Sequence, residues 1–204
     1  MARIVLVHGI GQERESADSL EATWLPSLAG GVRIAGFGDL ADTLWRDARP
    51  GPLSTRMAFY GDLFRTADQQ GTDDVELTAE EWAVAGPLAR EWLDRIALRA
   101  TRPVHRLDRP LPLLLTLGSP LSLRTVVYDR LRPQPPAVPP VARRWVNLVD
   151  LDDLVAAEPD LSLGFPGPAG VLESGYTVDN GARPHEATFY LTARETGRAI
   201  ASAL

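Results

Sequence analysis

The sequence predicts an α/β fold: a three-layer domain with a mostly parallel sheet of about five strands. Short apolar runs alternate with segments of helical period along the chain, a pattern typical of a parallel sheet covered by helices. The runs contain few polar residues, as expected for strands that are buried on both faces. With 204 residues, 45% of them hydrophobic, the chain fits a single domain, residues 1–204, built around one core.

Five segments have the length and apolar character of strands. The first stops at a glycine-rich turn and the third closes in Gly118-Ser119-Pro120, and both stops are turn signals. The first strand contains four consecutive apolar residues, which predicts a central strand buried on both sides. In chain order, the predicted strands are Arg3 to Val7, Arg56 to Tyr60, Leu111 to Leu117, Trp145 to Val149 and Gly170 to Val178.

Helical periodicity appears between these strands. Leu20, Trp24 and Leu28 recur every four residues and place an apolar stripe against the sheet. The spacing of Thr78 to Glu81 is that of a capping box, which opens a helix that continues to residue 100. Two more helices are predicted, one through Val126, Val127 and Leu131, and one from about Pro184 with Tyr190, Ala193, Gly197, Ile200 and Leu204 on one face. Within residues 30–55 the only assignment is an extended piece at Val32 to Ile34.

Composition excludes several classes of function. A net charge of −6 and a pI near 5.1 leave no excess of cations, so neither nucleic acid nor an anionic membrane surface is expected as a partner. The absence of cysteine excludes disulfides, thiolate metal sites and thiol catalysis. The apolar start carries no signal-peptide cleavage site and no segment is long enough to span a membrane. The sequence therefore predicts a cytoplasmic protein.

Polar residues of catalytic type follow three of the predicted strands. They are His8-Gly9 after the first, Gly118-Ser119 after the third and the Asp150 to Asp153 cluster after the fourth, and His185 lies beyond the fifth. Ligands bind outside the carboxyl ends of strands in an open parallel sheet, so these positions are expected to converge.

These segments resemble the α/β-hydrolase superfamily, specifically its bacterial lipase/esterase-like branch. The resemblance covers most of the chain and is carried by Val7 to Gln12, Tyr60-Gly61-Asp62, Leu115 to Leu121, Trp145 to Asp153 and His185. It implies hydrolysis of an ester or related acyl substrate without a cofactor. It also implies that Gly9 and Ile10 supply an oxyanion donor, that Asp153 orients the base, and that His185 is the base.

The sequence departs from that family at the nucleophile. No Gly-x-Ser-x-Gly pentapeptide occurs, so the strand and helix of the nucleophile elbow are missing. Without that strand, the first and third predicted strands are free to pair, giving the order 2-1-3-4-5 and bringing Ser119 beside His8. Ser119 is then the one candidate for a displaced nucleophile.

Each candidate has a second interpretation. Ser119 before Pro120 fits a helix N-cap, and His185 fits the first turn of a surface helix. Asp150 competes with Asp153 but better fits a turn former, while His8 is expected to be structural. A divalent metal at the aspartate cluster is an alternative for which no ligand set is evident. The alternative function is that of a non-catalytic pseudo-hydrolase that binds a ligand or partner, or of a truncated relative.

Overall fold

The computed structural model describes residues 3–9, 12, 15–59, 110–124, 127–156 and 158–204, and every structural statement below concerns these residues. They form a mixed α/β structure in which the strands of the two larger sheets are parallel. The predicted helix that ends at residue 100, with its capping box at Thr78 to Glu81, lies outside the described residues, as does Tyr60-Gly61-Asp62.

The N-terminal part pairs one parallel strand with the next. Strand β1 is Ile4–Val7, helix α1 is Ala17–Ile34, and helix α2 is Gly38–Leu44. A short antiparallel hairpin follows, made of β2 (Trp45–Arg46) and β3 (Arg49–Pro50). Strand β4, Thr55–Ala58, then pairs with β1 in parallel register.

The C-terminal part contains the larger sheet. Its strands are β5 (Leu114–Leu117), β6 (Trp145–Asp150) and β7 (Leu172–Val178), all parallel and in the order β5-β6-β7. Helices α3 (Ala187–Thr192) and α4 (Arg194–Ala201) end the chain. None of the helices in the described ranges has the length and apolar character needed to cross a bilayer.

The central strand of the described structure is β6, and the prediction that β1 is buried on both faces is wrong. All six residues of β6 are buried, whereas β1 alternates: Ile4 and Leu6 are in the core, but Val5 and Val7 are 58% and 61% exposed. Strand β1 pairs on one edge only, with β4, and no ladder joins it to β5 among the described residues. A single five-stranded sheet is therefore not formed there.

Helices cover one face of the larger sheet, and irregular segments cover the other. Val146 and Leu148 pack against Ala199 of α4, while Trp145 packs against a cluster that includes Tyr128 and Phe165. The predicted helix through Val126, Val127 and Leu131 is not present in the described residues around it. Two short 3-10 helices, Pro120–Ser122 and Tyr128–Arg130, are found there instead. The first ends after one turn because the backbone of Leu123 is extended.

Residues 32 to 34 are the end of α1, which corrects the predicted extended piece. Val32 is fully buried and continues the apolar stripe of Leu20 and Leu28, with Trp24 partly buried beside it. The helix continues through Gly30 and Gly31. A Cβ at Gly31 would overlap the carbonyl oxygen of Leu191 in α3. The helix needs glycine there for close packing.

The predicted C-terminal helix is two helices. Ala193 has extended backbone, with φ −60° and ψ 141°, and separates α3 from α4. Helix α1 crosses at this point, where a Cβ at Gly197 would overlap the carbonyl group of Gly31. The loop before α3 carries His185, so this packing positions one half of the candidate site.

Candidate functional site

A carboxylate and a histidine form a hydrogen-bonded pair beyond the carboxyl ends of β6 and β7. Asp153 lies in the turn after β6 with its side chain fully buried, whereas the side chain of His185 is 52% exposed. Nδ1 of His185 donates to Oδ2 of Asp153 at 2.8 Å. In the neutral ring this bond places the proton on Nδ1 and leaves Nε2 unprotonated. No described residue forms a hydrogen bond with Nε2.

The buried carboxylate of Asp153 accepts four hydrogen bonds. Its Oδ1 accepts from the backbone N–H groups of Val155 at 2.9 Å and Ala156 at 3.4 Å. Its Oδ2 accepts from the Tyr190 hydroxyl at 2.8 Å and from His185. A carboxylate has about four acceptor positions, so the charge is buried without an unmet hydrogen-bonding need. The carboxylate is therefore held in one orientation.

Tyr190 is a residue of this site that the sequence analysis missed, having assigned it only to an apolar helix face. Its hydroxyl donates to Asp153 Oδ2 and accepts from the backbone N–H of Asp150 at 2.7 Å. Burial raises the pKa of Tyr190, and its bond to Asp153 acts in the same direction, so the phenol remains a donor. The sequence offers one general indication of this role, which is that a tyrosine on a buried helix face needs a hydrogen-bond partner for its hydroxyl.

Asp150 organises the backbone around the pair. Its Oδ1 accepts from the N–H of Asp152 at 2.8 Å, and its Oδ2 accepts from the N–H of Asn180 at 2.5 Å. The side chain of Asn180 in turn donates to the carbonyl oxygen of Pro184 at 2.9 Å, one residue before His185. The structure thus gives Asp150 the turn-forming position that the sequence indicates, and extends it to the loop that carries His185.

Gly118 connects the turn after β5 to the same carboxylate. Its φ is +54°, and a Cβ at this position would lie 2.8 Å from Tyr190 Cε2 and 2.9 Å from Asp153 Oδ2. Ser119 follows directly and occupies the N-cap position of the Pro120–Ser122 turn, but its side chain makes no capping bond. Among the described residues, no hydrogen bond joins Ser119 to His185. Ser119 therefore lies next to the residue that touches Asp153 without being bonded to the base.

The turn after β1 is held by its own histidine. His8 is 3% exposed, its Nδ1 bonds with the Gly9 carbonyl oxygen at 2.9 Å, and its ring lies 4.9 Å from that of Phe59. These contacts fit the structural role expected for His8. Gly9 is exposed at the end of β1, and no hydrogen bond between described residues links it to the Asp153–His185 pair. Ile10, the other half of the predicted oxyanion turn, lies outside the described residues.

The described residues provide no ligand set for a metal ion. No group of three or more His, Asp or Glu side chains is arranged there to hold one. At the aspartate cluster, the oxygens of Asp150 and Asp153 already accept bonds from backbone N–H groups and side-chain donors. The arrangement is suited to proton transfer through His185.

No protein-family model, no curated protein and no solved structure matches this chain. What the site can do chemically therefore follows from its own geometry.

Proposed function

We propose that the chain is an α/β-hydrolase-like enzyme that hydrolyses esters or related acyl compounds, with His185 as general base and Asp153 as the carboxylate that orients it. The observation that carries the proposal is the 2.8 Å hydrogen bond from Nδ1 of half-exposed His185 to Oδ2 of fully buried Asp153. Hydrolases use a buried carboxylate behind an accessible imidazole to take a proton from an attacking hydroxyl group.

In the proposed reaction, Nε2 of His185 takes the proton of the attacking hydroxyl as its oxygen bonds to the acyl carbon. The proton then passes from Nε2 to the leaving alcohol or amine as the acyl bond breaks. With water as the nucleophile this step completes hydrolysis. With Ser119 it leaves an acyl-serine, which a water deprotonated by Nε2 attacks; the acid is released and the proton returns to the serine oxygen. Asp153 stabilises the imidazolium present between these two steps. The backbone N–H groups of the turn at Gly9 and Ile10 are proposed to bind the oxyanion of the tetrahedral intermediate.

Two nucleophiles are compatible with this base. Ser119 is supported by its place directly after Gly118, where an added Cβ would lie 2.9 Å from Asp153 Oδ2. A water molecule activated by His185 is supported by the missing hydrogen bond between Ser119 and His185 among the described residues. Catalytic hydrogen bonds are often formed only once substrate binds, so the experiment below tests both nucleophiles.

The strand pairs support the hydrolase-like fold within this proposal. Strands β4 and β1 are neighbours, and β5, β6 and β7 are neighbours, all in parallel register. These two sets are the two parts of the predicted order 2-1-3-4-5. In the described residues the two sets remain separate parallel sheets, so the support is the order and direction of the strands within each set.

The test combines turnover with covalent labelling. Hydrolysis of p-nitrophenyl acetate and reaction with a fluorophosphonate probe are measured for the natural protein and for the Ser119→Ala and His185→Ala variants. Ser162→Ala, an exposed serine in another loop, is the matched control. We expect His185→Ala to lower turnover to the residual acceleration that oxyanion and binding contacts supply, and Ser162→Ala to leave turnover unchanged.

The serine variant then separates the mechanisms. Loss of turnover and of labelling at Ser119 identifies Ser119 as the nucleophile, whereas unchanged turnover in Ser119→Ala identifies an activated water. Residual turnover alone decides nothing, because oxyanion and binding contacts without a nucleophile retain roughly 10³-fold acceleration. Equal turnover in the natural protein and in His185→Ala overturns the enzymatic proposal.

The second candidate is a non-catalytic binding module on the same scaffold. It is favoured by the absence of a Gly-x-Ser-x-Gly motif and by the absence, among the described residues, of a hydrogen bond between Ser119 and His185. In that case neither probe labelling nor His185-dependent turnover occurs. Binding of a non-hydrolysable acyl analogue, measured by calorimetry, would then replace turnover as the functional readout.

A further inference from the structure

We propose that Tyr190 is a positioning residue whose hydroxyl holds Asp153 Oδ2 toward Nδ1 of His185 and so keeps Nε2 as the unprotonated nitrogen. The inference rests on the proposed function of the pair. It assigns a task to a side chain that helical periodicity identifies only as a core residue.

The direction of the Tyr190 hydrogen bonds follows from the number of its protons. The hydroxyl has one hydrogen, and the N–H of Asp150 already donates to its oxygen at 2.7 Å. The hydrogen must therefore point to the other neighbour, Asp153 Oδ2, at 2.8 Å. Because burial raises the pKa of Tyr190, the phenol keeps this hydrogen at neutral pH.

The ring of Tyr190 is fixed by packing on several sides. The residue is 1% exposed, and a Cβ on Gly118 would lie only 2.8 Å from its Cε2, so the turn after β5 packs closely on the ring. Its own carbonyl oxygen accepts from Thr196 Oγ1 at 2.6 Å, across the break between α3 and α4. A hydroxyl held this firmly is a fixed donor for the carboxylate.

The two oxygens of Asp153 are not equally constrained. Among the described residues, Oδ1 accepts from the N–H groups of its own turn, whereas Oδ2 accepts from Tyr190 and His185. Without the hydroxyl, His185 is the one described residue that still donates to Oδ2, and about half of its side chain is in solvent. The carboxylate can then tilt, and the Nδ1–H tautomer of His185 loses the preference that the fixed acceptor gives it.

The test uses Tyr190→Phe, which keeps the ring and removes only the hydroxyl. Tyr128→Phe is the matched control, because Tyr128 is also buried and its hydroxyl donates to a backbone carbonyl, that of Gly164, at 2.7 Å in the other core cluster. Tyr190→Phe removes two buried hydrogen bonds and Tyr128→Phe removes one that is partly buried, so both variants are compared under conditions in which each is folded.

The first measurement is the tautomer of His185, obtained from the ¹⁵N chemical shifts of Nδ1 and Nε2 at a pH at which the ring is neutral. His185→Gln assigns the signals by removing them. We expect the Nδ1–H form to dominate in the natural protein and in Tyr128→Phe, and the Nε2–H form to gain population in Tyr190→Phe. An unchanged tautomer ratio in folded Tyr190→Phe overturns the proposal.

The second measurement is ester turnover at a temperature well below the melting transitions. We expect Tyr190→Phe to lower kcat about tenfold with KM unchanged, since partners that orient a catalytic group commonly contribute 10- to 100-fold. Tyr128→Phe should match the natural protein. Equal kcat values for the two tyrosine variants count against positioning by Tyr190.

The two measurements separate this proposal from the proposed function. If the natural protein has no His185-dependent turnover, the hydrolase proposal fails, but the tautomer ratio still decides whether Tyr190 fixes the pair. If turnover depends on His185 while Tyr190→Phe changes neither kcat nor tautomer, the hydrolase proposal stands and the role of Tyr190 is rejected.

Discussion

His8, in the turn after β1, is 3% exposed, whereas His185, in the loop after β7, has about half of its side chain in solvent. His8 bonds with the carbonyl oxygen of its neighbour Gly9 and lies against Phe59, and both contacts stabilise the turn after β1. His185 instead bonds to a carboxylate 32 residues away in sequence, across two strand ends.

The difference between these two regions shows that the partner of a histidine, not its place after a strand, decides what it can do. A ring bonded to its own turn stabilises that turn. A ring oriented by a buried carboxylate, with its second nitrogen open, is suited to accept a proton.

Asp153→Asn should lower turnover roughly 10³- to 10⁴-fold, because an amide can donate to Nδ1 and favour the wrong tautomer of His185. The comparison variant is Asp152→Asn, one residue earlier in the same turn, where the side chain is exposed. Its turnover should equal that of the natural protein. Steady-state ester hydrolysis measures both, and turnover within twofold of normal for Asp153→Asn contradicts the orienting role.

Gly118→Ala should lower the free energy of unfolding by about 3 kcal/mol, from left-handed backbone strain and overlap with Tyr190 and Asp153. Gly181→Ala is the matched variant: its φ is +61°, but a Cβ there meets nothing within 4 Å. It should cost only the backbone term, about 1 kcal/mol. Urea denaturation measures the difference, and equal losses for the two variants would show that the turn after β5 does not pack on the carboxylate.

Substitution of the two histidines should affect stability in opposite order to turnover. His8→Ala should lower the free energy of unfolding by about 2 kcal/mol, through a lost buried hydrogen bond and lost packing on Phe59. His185→Ala should lower it by less than about 1 kcal/mol, because Asp153 keeps three of its four donors. Thermal unfolding checks this order, and a larger loss for His185→Ala contradicts the contrast between the two regions.

The sequence predicted the features that local pattern can determine. The apolar runs located β1, β5, β6 and β7 to within a few residues, and the spacing of Leu20 and Leu28 located the buried face of α1. The alternating exposure of β1 could not be predicted, because Val5 and Val7 on its open face are as apolar as the residues on its buried face. Pattern indicates burial only where polar residues mark the other face.

Contacts between distant parts of the chain account for the remaining differences. The sequence predicted an extended piece at Val32 to Ile34, whereas α1 continues through these residues, and glycine is needed at Gly31 because the backbone of α3, 160 residues later, lies against it. The hydroxyl of Tyr190 is part of the site because Asp150 and Asp153 lie opposite it, which helical period cannot reveal. The candidate residues Asp153 and His185 were named from the sequence, while the groups that hold them were visible only in the fold.

The smallest effect is expected at the opposite end of β6, where the stability that an ion pair contributes depends on pH. Arg144 donates to both carboxylate oxygens of Glu173 on β7, at 2.6 and 2.8 Å. This hydrogen bonding lowers the pKa of Glu173, against the opposing effect of burial. A lowered pKa in the folded state adds stability that is present above the unfolded value, near 4.3, and is lost as pH falls through the folded value.

Glu173→Gln should therefore lower the free energy of unfolding by about 0.5 kcal/mol at pH 7, the range for a partly exposed ion pair, and by nothing at a pH below the folded pKa of Glu173. Asp152→Asn, which breaks none of the ion pairs seen between described residues, should differ from the natural protein at neither pH. Chemical denaturation at the two pH values measures both variants. Acid destabilisation that persists unchanged in Glu173→Gln would contradict its assignment to the ion pair of Arg144 and Glu173.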